Sequence, residues 1–261
     1  MVSASMELLR CALHSEVWSG LALADIKSRY RRTALGPFWM TLSMSVMVCS
    51  VGIVYAGLFG NEITHYLPFL ATGIIVWTYI STCIIDGCNV FITAAGFIKS
   101  VPLPLASHVF RALACNALIL AHNAVLIIFL WMILGWSIGF DAILAVLGLL
   151  IDTVALVGIA LTLGILSARF RDIPPLIAAL VQLLFLLTPI MWMPSALKSP
   201  ALSLVIELNP IYYLIEVVRG PLLGQTPPPK IWLIAILLAV ACLATGVALY
   251  SKLRHRVAYW L

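Results

Sequence analysis

The sequence predicts an all-α integral membrane protein, with six spanning helices, an N-terminal amphipathic interface helix and a re-entrant helix pair between spans five and six. Three observations carry this. Of the 261 residues 63% are hydrophobic and only 10% charged, against about 45–50% and about 25% in soluble domains. The mean hydropathy is +1.12, more apolar surface than a soluble fold of this length could cover. The charges also sit mostly in short clusters between apolar runs of about 20 residues, the length that crosses a bilayer.

The elements follow in order. Residues 1–35 form a cytoplasmic segment in which Leu9, Leu13, Val17 and Leu21 recur at i, i+4 spacing, with Glu7, Arg10 and His14 on other faces. That pattern predicts a helix lying on the membrane surface. The spans are 36–59, 66–91, 112–135, 142–166, 173–192 and 231–250. A cytoplasmic loop at 93–108 carries Lys99, Pro102 and Pro104. The longest loop, 193–229, is oddly apolar and punctuated by seven prolines. Its stretches 201–206 and 211–218 are too short to span. Pro210 can start a helix and Gly220-Pro221 can end one. Two short helices dipping back into the membrane fit this pattern, and helices lying flat on the outer surface are the alternative. The whole chain is one transmembrane domain.

The cations set the orientation. With the N-terminus in the cytoplasm, twelve Lys and Arg residues fall inside and only Lys198, Arg219 and Lys230 outside. This matches the positive-inside rule with both termini cytoplasmic. The net charge of +5 is therefore read as topology rather than nucleic-acid binding. The six cysteines show no CxxC or zinc-type spacing, so no metal site is expected.

Motifs for covalent chemistry are absent from the sequence. There is no GxxxxGK[ST], HExxH or GxSxG. Intramembrane polar residues are functional candidates by default, and here they are Asp86, Asn116, His122, Asn123, Asp152 and Gln182. Asp86 and Asp152 stand singly, without a cation nearby in sequence, which favours structural or cavity-lining roles over a proton relay. Most of the tryptophans and tyrosines fall near span ends, where interface belts explain them. A few, with Trp39, Tyr55, Phe59 and Trp192 as candidates, could instead line a channel and stack on sugar faces.

Four stretches carry a family resemblance: RYRRTALGPFW (29–39), IKSVPLP (98–104), RFRDIPPLIAALVQLLFLLTPIMW (169–192) and LNPIYYLIEVVRGPLLG (208–224). Together they resemble the membrane subunit of ABC-2 type exporters in the polysaccharide-exporting branch, nearest the O-antigen lipopolysaccharide permeases, with capsule and teichoic-acid permeases as near relatives. The resemblance implies a homodimer in a bacterial inner membrane, working with two copies of a separate cytoplasmic ABC ATPase. ATP and magnesium would then act on that ATPase, and this chain would carry no cofactor and no catalytic residue. The implied cargo is a glycan on an undecaprenyl diphosphate carrier. Residues Lys99, Val101, Pro102, Leu103 and Pro104 map to the ATPase-coupling segment, and Asn209, Pro210, Tyr212, Tyr213 and Ile215 to an outer gate.

Lys27, Arg29, Arg31 and Arg32 form four cations in six residues before the first span. Such a cluster orients the span and binds anionic headgroups. It would also suit a lipid diphosphate, because the arginine fork binds phosphate oxygens bidentately. Two other function classes remain open on sequence: a membrane-embedded lipid-linked sugar transferase or acyltransferase, which would cluster its acids at one membrane face, and an exporter of drugs or small lipids.

Overall fold

A computed structural model of the chain describes residues 4–29, 31, 35–36, 38–101, 103–136, 139, 141–194 and 200–261; the side chains of residues 4, 5, 59 and 200–202 lie outside that description. Among the described residues there are eleven helices and no strand. They are α1 (Ala4–Leu13), α2 (Ser15–Arg29), α3 (Phe38–Phe59), α4 (Ile63–Thr93), α5 (Ala95–Ser100), α6 (Leu105–Leu134), α7 (Ala142–Arg169), α8 (Ile173–Leu187), α9 (Pro200–Leu208), α10 (Pro210–Leu222) and α11 (Pro229–Trp260). Five of them, α3, α4, α6, α7 and α11, are long and apolar enough to cross a membrane.

The spans differ in how much the chain itself covers them. In the most apolar stretch of α4, 78% is buried, against 22% in α3, α6 and α11. The chain is therefore built around α4, and the other three offer large apolar faces to lipid or to another protein. Helix α7 packs beside α4, and α11 lies against α7.

Small residues make these crossings close. A Cβ placed on Gly87 of α4 would lie 2.9 Å from Ala160 of α7. One on Gly246 of α11 would lie 2.5 Å from the Gly158 carbonyl oxygen, and one on Gly158 would overlap the carbonyl of Cys242. Lipid tails are as apolar as leucine, so helices in a bilayer gain most from such close backbone approach.

Several boundaries depart from the sequence reading. The N-terminal segment is two helices rather than one, broken at His14, whose Nδ1 contacts the Arg10 carbonyl at 3.0 Å. The apolar stripe at Leu9, Leu13 and Val17 is exposed, the face a helix on a membrane surface would turn to lipid, and α2 buries Ala22 and Ile26 against the bundle. Helix α6 begins at Leu105, before Arg111, because that cation is paired and does not end the apolar run. Helix α11 continues to Trp260, ten residues beyond the expected end.

Helix α8 stops at Leu187, short of 192. The residue before a proline is pushed out of the helical region, and Thr188, before Pro189, is extended with ψ 136°. At 15 residues, or about 22 Å, α8 falls short of a hydrocarbon core of about 30 Å.

Both chain termini lie at one end of the bundle. Glu7 of α1 accepts a hydrogen bond from the Tyr250 hydroxyl of α11 at 2.7 Å and pairs with Arg254. The opposite end carries the α3–α4 turn, α9 and α10.

Candidate functional site

At the end bearing the termini, α2 is clamped onto α6. Asp25 takes both Nε and Nη2 of Arg111, at 2.6 and 2.5 Å. The Cys115 thiol donates to the Ala22 carbonyl at 3.5 Å, and the ring centroids of Trp18 and Phe110 are 5.9 Å apart. Between α2, α4 and α6 this clamp leaves a cleft of about 570 Å³ whose walls include Arg29, Asp86, Asn89 and His108. Asn116 of α6 donates to one oxygen of Asp86 at 2.9 Å. His108 is 3% exposed, and its Nε2 has no hydrogen-bond partner among the described residues.

The other face of His108 meets the segment joining α4 to α6. Its ring sits edge-on to Phe97 of α5, with centroids 5.7 Å apart and planes at 82°. Helix α5 leaves Lys99 and Ser100 exposed, Val101 is exposed beyond it, and Pro104 caps α6. Leu103 and Pro104 border a second cleft, of about 370 Å³, with Glu7, Tyr250, Arg254 and His255. The 95–105 segment thus touches both chain ends. Cys11 packs nearby, 3.7 Å from the Ser107 hydroxyl, and burial pushes its thiol above the ordinary value.

At the opposite end two sequence motifs meet. Asn209 caps α10: its Oδ1 accepts from the Ile211 amide at 3.0 Å, while its Nδ2 donates to Thr188 Oγ1 at 2.7 Å. Tyr213 donates to the Glu207 carbonyl at 2.8 Å, and Tyr66 of α4 donates to the Met191 carbonyl. Arg219 is 2% exposed. It donates to Pro189 O at 2.7 Å and to Glu216 Oε2 at 3.1 and 2.6 Å. Its guanidinium lies 4.2 Å from the Phe69 ring centroid.

Helix α10 is wedged below the ends of its neighbours. A Cβ on Gly73, ten residues into α4, would lie 3.5 Å from Arg219 Nη1. One on Gly148, six residues into α7, would lie 2.5 Å from the Val217 carbonyl oxygen. These offsets correspond to about 15 and about 9 Å of helix. Sequence reading placed Arg219 among loop charges and missed its partner. The signal was Glu216 three residues before it, a spacing that puts both on one helix face.

The expected site residues are only partly brought together. Arg29 borders the polar cleft, whereas Lys27 and Arg31 are exposed outside it, and Arg32 lies outside the described residues. Pro102 and the Phe59 side chain lie outside them as well. Asn209, Tyr213 and Ile215 are buried, Tyr212 is half-buried and Pro210 exposed. Trp39 is 53% exposed on α3, Tyr55 half-buried on the same helix, and Trp192 half-buried in the turn after α8, its indole reaching the Leu186 carbonyl. Asp152 is fully buried, with no hydrogen bond to either oxygen among the described residues.

Comparison with known proteins agrees with this architecture. The family model described as "ABC-2 type transporter" matches residues 17–223. Two proteins of Klebsiella pneumoniae named "O-antigen export system permease protein RfbA" are 23% and 24% identical over 240 and 244 residues, covering 90% of each chain. A protein of the same name from Myxococcus xanthus is 23% identical over 200 residues, 75% of each chain. With a family match across most of its length and a bundle of long apolar helices, this chain is a multi-pass membrane protein belonging to the ABC-2 type transporter family.

Proposed function

We propose that this chain is the permease of an ABC exporter that moves undecaprenyl-diphosphate-linked polysaccharide, an O-antigen, across a bacterial inner membrane. The observation that carries this reading is end-to-end similarity to proteins named as O-antigen export permeases, over 90% of both chains. The rival class, a membrane-embedded transferase, calls for clustered acids at one face. Here Asp25 and Asp86 share one cleft, but Asp25 is neutralised by Arg111 and Asp86 is bonded by Asn116, while Asp152 is buried apart.

In this scheme both termini and the 95–104 segment face the cytoplasm, as the excess of cations there favours. Lys99, Val101, Pro102, Leu103 and Pro104 receive the ATPase, on which ATP and magnesium act; the permease needs no cofactor. Leu103 and Pro104 border a cleft with Glu7 and Arg254, and Phe97 packs on His108 of α6, which supports the role, since a push there reaches α1, α6 and α11 together. Lys27, Arg29, Arg31 and Arg32 meet the anionic carrier at the cytoplasmic mouth.

A second copy completes the channel. One chain leaves α3 and α8 open, with Trp39, Val46 and Val54 on one and Leu176, Leu180 and Leu183 on the other all exposed. Trp39, Tyr55, Phe59 and Trp192 are the channel-lining candidates of such a pair. Helices α8 and α11 serve as spans five and six, the bilayer thinning around the short α8, with α9 and α10 between them as the re-entrant pair. The depth of α10 against Gly73 and Gly148 favours re-entry over a flat cap. Asn209, Pro210, Tyr213 and Ile215 hold α10, and Tyr212 faces the exit.

Deleting the reading frame tests the function. Surface polysaccharide should vanish while lipid-linked polymer accumulates inside, and the wild-type chain should restore export. Normal surface glycan in the deletion strain would refute it.

A further inference from the structure

The polar cleft between α2, α4 and α6 has an unusual charge plan for a membrane protein. Asp25 and Arg111 neutralise each other through two short hydrogen bonds. That leaves one acid, Asp86, and one cation, Arg29, without an ion-pair partner among the described residues of the wall. Asp86 spends one oxygen on Asn116, and its other oxygen makes no hydrogen bond among the described residues. Asn89 donates its amide to the Ile85 carbonyl, which leaves its own carbonyl oxygen as an acceptor. His108 adds a buried ring nitrogen with no partner among the described residues. A buried polar atom in that condition costs free energy unless something bonds it.

This donor set discriminates among ligand classes. A divalent cation would need several free acids, and no metal-holding group of His, Cys, Asp or Glu occurs among the described residues. A simple anion would find Arg29 but also meet the Asp86 charge. A ligand with hydroxyl donors at one end and a phosphate at the other satisfies both. The volume of about 570 Å³ lies within the range of small-ligand sites, about 300–1,000 Å³.

We propose that this cleft is a loading site for the carrier-proximal sugar of the lipid-linked glycan, with Asp86 and Asn89 accepting from sugar hydroxyls and Arg29 holding the adjoining phosphate. The proposal rests on the export function above and adds a site to it. A diol-bearing phospholipid headgroup shares this chemistry, so the test must separate the two sources.

The full chain, in phosphatidylcholine nanodiscs, is titrated with two probes: farnesyl diphosphate bearing one N-acetylglucosamine, and farnesyl diphosphate alone. Wild type should bind the glycosylated probe more tightly. Asp86→Asn keeps an oxygen for Asn116 but removes the carboxylate. It should weaken the glycosylated probe about tenfold, the scale of one hydrogen bond to a charged group, and leave the bare diphosphate unchanged. Arg29→Ala should weaken both. Equal loss of both probes in Asp86→Asn, no loss of either, or no binding of the glycosylated probe to wild type would each overturn the sugar site. So would full competition by nanodiscs containing phosphatidylglycerol, which would reassign the cleft to a headgroup. Surface glycan in the deletion strain reports separately on the export function, so failure of the cleft and failure of that function are distinguishable.

Discussion

Arg219 donates to the carbonyl oxygen of Pro189 across 2.7 Å, tying α10 to the turn that ends α8. The same guanidinium holds Glu216 and covers Phe69 of α4. One side chain therefore joins three elements at the end opposite the termini, and Asn209 adds a second tie through Thr188.

Removing that cation should be costly. Arg219→Ala leaves Glu216 largely buried with no cation beside it, and breaking one partner of a buried pair costs about 3–5 kcal/mol. The apparent melting temperature of the purified permease should fall clearly. Arg219→Met combined with Glu216→Gln removes both charges and should recover much of the loss. Equal melting of Arg219→Ala and wild type would show that the network adds no stability.

Asp25 and Arg111 make a different kind of pair, since their side chains are 38% and 27% exposed. Solvent screening lowers its worth to about 1 kcal/mol despite the bidentate geometry. Its loss should loosen α2 without unfolding the bundle. Cys115 reports on this, because its thiol is bonded to the Ala22 carbonyl of α2 and also approaches Asp25 Oδ2 at 3.8 Å. With the other cysteines replaced, Arg111→Ala, which leaves the Asp25 carboxylate in place, should alkylate Cys115 several-fold faster than its parent, and the swap Asp25→Arg with Arg111→Asp should slow it again. An unchanged rate in Arg111→Ala would mean that packing alone, through Ala22 and Trp18, holds α2.

Hydropathy made the long helices legible, because each of α3, α4, α6, α7 and α11 needs only an apolar run. It misplaced the end of α8, where Pro189 outweighed the apolar Ile190, Met191 and Trp192 that follow it. The leucine stripe of α1 and α2 stays exposed, the face that a helix on a membrane surface turns to lipid. Hidden from the sequence was the docking of α2, which relies on Ala22, a side chain too small to register in an amphipathic pattern, and on a cation 86 residues away. The short helices after α8 were readable from Pro210 and the apolar stretches around it. Their embrace of Thr188 and Pro189 was not, because a hydrogen bond between two motifs leaves no trace in the spacing of either. For the same reason Asp86 was recognised as polar, but the cleft it shares with Arg29 and His108 emerged only in three dimensions.

Close backbone approach predicts a sharp contrast between two glycines. Gly158 touches the Cys242 backbone, so Gly158→Ala must push α7 and α11 apart. Overpacking of this kind costs about 1–3 kcal/mol, and more where only backbone can yield. Among the described residues nothing lies within 4 Å of a Cβ on Gly57 in α3. Gly57→Ala should be neutral or gain up to about 1 kcal/mol from helix propensity. Size-exclusion profiles of the two variants should show aggregation of the first only. A monodisperse Gly158→Ala protein with wild-type melting would reject the crossing.

The orientation can be tested at two exposed positions on opposite ends of the bundle. Glu62 lies in the turn between α3 and α4, its side chain 80% exposed. Ser100 ends α5, beside the chain termini, and is also exposed. In the proposed orientation that end faces the cytoplasm, as the excess of Lys and Arg around Ser100 favours. In a cysteine-free background, Glu62→Cys should react in intact cells with a thiol reagent that cannot cross the inner membrane. Ser100→Cys should react only after the membrane is opened. The background matters because six native thiols are present; Cys11, buried and with a raised pKa, would be a slow reporter, whereas Cys49 of α3 is half-buried on an open helix. Labelling of Ser100→Cys but not Glu62→Cys in intact cells would invert the topology. It would also place the 95–104 segment beyond reach of a cytoplasmic ATPase and so remove the basis for its coupling role.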